Sequence, residues 1–141
     1  MLRAFPILKR SGNTSDEIIA AVSSMLDQVD AVFTPTDNVV QAAELAIAPM
    51  MAEAGIPHYA GADSFVRNGA FATCGVNYTD LGTQTADLAV QVLQTGEFPD
   101  FVTVSGDIIT VNTDTAKTLG IDYSMFSDMG SQVVEVQTTQ D

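Results

Sequence analysis

Three short apolar runs, Asp30–Thr34, Ile56–Ala60 and Ala70–Gly75, each close in a cluster of turn residues, and segments of helical spacing separate them. Apolar runs of this length without alternation predict strands buried on both faces. Strands that alternate with helices predict a parallel sheet with helices packed on either side. The fold expected is therefore α/β, a parallel, doubly wound sheet flanked by helices.

The helices carry their own punctuation. Thr14-Ser15-Asp16-Glu17 has the form of a capping box, and apolar residues from Ile18 to Val29 follow at helical spacing, which predicts a helix over Asp16–Gln28. A second helix is expected from Val39 to Ala54, with Pro49 kinking or breaking it and Gly55 ending it. Thr79 or Asp80 is expected to cap a long helix whose inner face carries Leu81, Leu88, Ala89, Val92 and Leu93. Phe101–Val104 and Ile108–Asn112 are expected as strands joined by Ser105-Gly106-Asp107, and Thr113–Leu119 as a short last helix ended by Gly120. At 141 residues the chain has room for one core. The expected layout is an irregular or edge-strand leader over 1–13, an α/β lobe over 14–125 and a polar tail over 126–141 that is either loose or pairs through Val133–Val136 as an edge strand.

Charge narrows the partners. Eighteen acidic residues against five lysines and arginines give a formal charge of −13, which argues against nucleic acid and anionic lipid, since both need a basic face. One cysteine, Cys74, and one histidine, His58, leave no material for a thiolate or multi-histidine metal centre. Glycine-rich nucleotide fingerprints are missing, so no cofactor is expected. Cys74 falls inside a strand and reads as buried rather than nucleophilic. His58 has no acid near it in sequence and reads as a structural histidine rather than a general base. No catalytic residues are assigned, and the chain is not read as an enzyme.

In open α/β sheets ligands bind beyond the carboxyl ends of the strands. Three turns fall there: Pro35-Thr36-Asp37-Asn38, Gly61-Ala62-Asp63-Ser64 and Gly75-Val76-Asn77-Tyr78. Their hydroxyls, amides and helix starts suit a carboxylate, and Asp63 suits an ammonium, so together they suit a zwitterion. Each polar residue has a second reading: Asp37, Asn38 and Asp63 as helix caps, Tyr78 as a packing residue.

The ordered set Val29–Asn38, Gly55-Ile56-Pro57, Gly61–Ser64, Val66–Ala70, Gly75–Tyr78, Asp80-Leu81-Gly82 and Ala116–Ile121 resembles the ABC-transporter substrate-binding proteins of the tryptophan/tyrosine-binding type, over about Ser15 to Tyr123. The resemblance implies one lobe of a type I periplasmic-binding-protein-like fold, incomplete at its N-terminus. It implies a solute receptor that binds an amino acid, aromatic favoured, and delivers it to an ABC permease. The parent of such a lobe is extracytoplasmic, often a lipoprotein, although Met1–Arg10 is too short and broken for a signal peptide. By the same resemblance Thr36, Asp37 and Asn38 with Asp63 and Ser64 line the cleft, Asp63 takes the ammonium and Tyr78 stacks. An incomplete sheet would leave a bare edge, for which a homo-oligomer by strand exchange is the expected remedy. The effector-binding domain of a transcription regulator of the same architecture is the alternative, but neither terminus supplies a DNA-binding helix pair.

Overall fold

A computed structural model describes residues 5–139. The leader over 1–13, expected to be irregular or an edge strand, falls partly outside this range, and 5–13 carry no regular structure. The elements are α1 (Ser15–Ser23), β1 (Val32–Thr34), α2 (Asn38–Glu53), β2 (His58–Ala60), α3 (Asp63–Arg67), β3 (Ala72–Gly75), α4 (Tyr78–Thr95), β4 (Ile108–Asn112), α5 (Thr113–Leu119), a 3-10 turn (Ser124–Asp128) and β5 (Gln132–Val136). The strands form one sheet in the order β1-β2-β3-β4-β5. The sheet is parallel except between β3 and β4, where Ala72 faces Val111 and Gly75 faces Ile108 in antiparallel register.

Local chemistry explains most of the helix boundaries. Thr14 Oγ1 accepts the Glu17 amide, and the Glu17 carboxylate accepts the amide of Asn13, satisfying two donors that a helix start leaves free. Helix α1 stops at Ser23, short of Gln28, and passes into turns that still bury Met25. Helix α2 runs unbroken through Pro49. The proline and Leu45, whose carbonyl it frees, both lie on the solvent side, while Ile47, Ala48, Met51 and Ala52 hold the opposite face in the core. Gly69 combines a φ of 115° with an approach in which a β carbon would come 2.9 Å from that of Ala48, so only glycine fits there.

The core has two parts. One joins α1, α2, β1 and α3 through Ile18, Val22, Ile47, Met51, Phe65 and Val66; the other joins β3, β4 and α5 through Phe71, Ile109, Val111 and Ala116.

Three expectations are corrected. Strands β1 and β2 are buried on one face only: Val32, Thr34, His58 and Ala60 are covered, but Phe33 is 69% exposed and its register partner Tyr59 36%, because no described element lies over that side. No residue of α4 is buried, and Leu93 is 85% exposed. The helix leads away from the sheet, so its apolar stripe finds no partner among the described residues. Phe101–Val104 forms no strand, and Phe101 is 80% exposed; the chain instead returns alongside β3 as β4, which is why that pair is antiparallel. Nothing described pairs with the outer edge of β1.

Candidate functional site

Parallel strands β1, β2 and β3 all end at one edge of the sheet, and each is followed by a turn and a helix start. A cavity of about 510 Å³ opens beside the second and third of these turns. Asp63, Arg67, Thr73, Cys74, Asn77, Tyr78 and Thr79 line it, together with Ile108 and Thr110 of the neighbouring strand β4.

The three turns divide their polar groups between architecture and open space. At the first, Asp37 is the cap of α2: its Oδ1 accepts the amides of Val39 at 2.8 Å and Val40 at 3.0 Å. Asn38 is the first residue of the helix, and Asp37 fills the capping role that Asn38 had as its second reading. Thr36 touches the second turn. A β carbon on Gly61 would fall 2.7 Å from Thr36 Oγ1 and 2.8 Å from its amide nitrogen, so the two turns meet as closely as glycine allows.

At the second turn, Ala62 stands at the cap position of α3 without a side-chain bond, and the Asp63 carboxylate is free of capping duty. It lies 3.4 Å from Nε of Arg67 one helical turn on, and both side chains keep about half their surface in water. Ser64 faces elsewhere and donates to the Gln41 side chain at 2.9 Å. At the third turn Asn77 caps α4, its Oδ1 accepting from Thr79 and Asp80, in place of the Thr79 or Asp80 expected from sequence. An Asx residue two positions past the end of a strand is the cue that identifies it. Tyr78 is 58% exposed at the cavity mouth.

The structure thus brings Asp63 and Tyr78 to the cavity, sets Thr36 against its rim through Gly61, and leaves Asp37 and Ser64 engaged in bonds of their own. It adds Arg67, which sequence reading passed over; its spacing of four from Asp63 on a short helix was the available signal. Cys74 is exposed rather than buried, and its thiol donates to the Gly106 carbonyl at 3.3 Å, because no helix covers that end of β3. His58 does have an acid partner: Glu44, from α2, lies 3.1 Å away. No cluster of three metal-ligating side chains occurs among the described residues.

Chemically, the site pairs a carboxylate with a guanidinium on one cavity wall and sets an exposed phenol ring beside them. Such a wall matches the two charges of a zwitterion, with an aromatic surface for its side chain.

Comparison with known proteins agrees with this architecture. Residues 7–126 match the family model described as ABC transporter substrate binding protein. A tyrosine-binding protein of Clostridioides difficile is 31% identical over 118 residues, covering 82% of this chain and 34% of its own length. A substrate-binding protein with adhesive properties from Clostridium difficile, solved ligand-free and open, superposes with a TM-score of 0.77 at 29% identity, over 96% of this chain and 45% of that one. The ABC domain from Streptococcus pneumonia in complex with L-Trp superposes at 0.67 with 27% identity, over 86% of this chain and 42% of that one. The chain therefore spans between a third and a half of the length of the relatives it matches.

Proposed function

The chain belongs to the ABC transporter substrate binding protein family, a family of solute-binding proteins rather than enzymes, and on that premise we propose that it supplies one wall of an importer's solute site. The solute is a free amino acid, aromatic favoured, held at the carboxyl ends of β1–β3 and passed to an ABC permease. The site residues are Thr36, Asn38, Asp63, Arg67 and Tyr78, with Asp37 and Ser64 shaping the turns that carry them.

One observation carries this reading: Asp63 and Arg67 lie side by side on the cavity wall. The ammonium of the solute pairs with Asp63 and its carboxylate with Arg67, as charge-assisted hydrogen bonds. Among the described residues Arg67 is the one cation lining the cavity, which matters in a chain of charge −13, where a carboxylate otherwise meets a repelling field. Tyr78 offers its ring to the side chain. The names of the relatives, one tyrosine-binding and one holding L-Trp, support an aromatic solute. Family membership supports an extracytoplasmic parent protein. The edge of β1, unpaired among the described residues, and the exposed Phe33 support pairing with further protein, for which we propose a second copy of this lobe.

The test is thermal unfolding of the chain against a panel of amino acids and their analogues. A rise in Tm with L-tryptophan or L-tyrosine, and none with tryptamine or indole-3-propionate, is the expected result. Equal shifts with the analogues that lack one charge, or no shift with any amino acid, would overturn the zwitterion site.

A further inference from the structure

Glu44 and His58 are the only ionisable side chains buried among the described residues, at 0% and 1% exposure. They come from different elements: Glu44 from the middle of α2, His58 from the first position of β2. His58 Nδ1 lies 3.1 Å from a Glu44 oxygen, and His58 Nε2 lies 2.8 Å from Oγ1 of Thr34. Among the described residues neither Glu44 oxygen, nor His58 Nδ1, meets hydrogen-bond geometry with any group, so the close approach of His58 is an electrostatic contact and the carboxylate's sole compensation for leaving water. Thr34 is the last residue of β1, and the turn that follows it carries Thr36, Asp37 and Asn38.

We infer that Glu44 and His58 form a buried positioning relay that fixes the solute-binding turn, a role that rests on the site proposed above. Glu44 draws the ring proton to Nδ1. Nε2 is then left as an acceptor and takes the Thr34 hydroxyl proton as a hydrogen bond. The bond ties the end of β1 to β2, and the turn leaves β1 from a fixed point. The order Glu–His–hydroxyl is that of a relay that sets a histidine tautomer, but burial denies the hydroxyl any substrate, so its task is to hold rather than to attack. Glu44 and His58 therefore contribute to solute affinity without touching solute.

The chain has a single histidine, so ring-nitrogen NMR of the whole chain gives one unambiguous pair of signals. The expected spectrum has the proton on Nδ1 and a bare Nε2. Thr34→Val removes the hydroxyl at constant shape, in a strand that favours valine. It is expected to speed amide exchange at Val39 and Val40, the amides that Asp37 holds at the turn, by at least about fivefold, while Thr34→Ser restores slow exchange. Glu44→Met is expected to move the proton to Nε2. A proton on Nε2 in the unmodified chain overturns the relay, and so does a Thr34→Val chain whose turn amides exchange as before. Neither measurement uses a solute, so a failed relay and a failed binding site are told apart by the amino-acid panel.

Discussion

Asn112 and Val66 are joined across the molecule: the buried Asn112 amide donates to the Val66 carbonyl at 2.8 Å, while its own oxygen accepts the first amides of α5. The same amide group also donates to Thr138 at 2.9 Å. One side chain thus caps α5, closes the end of α3 and anchors the segment after β5. Asn112→Ala is expected to cost about 2–3 kcal/mol, more than a cap alone, because a buried carbonyl loses its donor. Asn112→Ser keeps the cap and forfeits the bridge, so urea unfolding should give an intermediate loss. A serine variant as stable as the parent would show that the bridge contributes nothing.

Asp37 and Asn38 separate capping from binding. Asp37→Ser preserves an acceptor for the Val39 and Val40 amides, so stability should stay within about 0.5 kcal/mol, whereas Asp37→Ala should lose about 1 kcal/mol. Asn38→Ala leaves that cap intact and is expected to weaken amino-acid binding by about 1–2 kcal/mol at unchanged Tm. Calorimetric titration beside a melting curve checks both; unchanged affinity in Asn38→Ala removes it from the site.

At the cavity wall, Asp63→Ala is expected to weaken zwitterion binding by about 1–3 kcal/mol, and Arg67→Gln by a similar amount. The pair is half in water, so stability should hardly change. Two variants that bind as before would remove the pair from the site and leave it a surface contact of α3.

Gly61→Ala is expected to destabilise by about 1–3 kcal/mol through overpacking. Trimming Thr36 to alanine, which removes Oγ1, should not rescue it, since a β carbon there also meets the Thr36 main-chain nitrogen at 2.8 Å. Full rescue by Thr36→Ala would mean that the two turns can part.

The Tyr123 hydroxyl donates to the Glu135 carboxylate at 2.9 Å, and this bond holds the phenol protonated above its ordinary value of 10.0. A raised value in the folded chain means that the bond stabilises fully below about pH 10 and is lost as pH climbs through the folded value, since the unfolded phenol ionises first. NMR of the Tyr123 ring carbon should show a midpoint above 10.0 that falls in Glu135→Gln. An unchanged midpoint in that variant would assign the shift to something other than Glu135.

Local order was legible from the chain itself. The Thr14 capping box, the end of α2 at Gly55, the short α5 with Gly120 behind it and the three strand-to-helix turns follow from neighbours in sequence, whose propensities act within one turn or one strand. Family membership was legible for the same reason, since its motifs are the turns themselves. What the tertiary structure alone decided is which groups from distant segments meet and which faces stay bare. Glu44 looks like any helix glutamate until α2 lies on β2 and closes it over His58. Arg67 gains meaning only where α3 meets the cavity, and Cys74 and the stripe of α4 are apolar patterns that nothing in these residues covers. A hydrophobic period states that a face can be buried; burial itself needs a second surface, and only the packed chain supplies or withholds it.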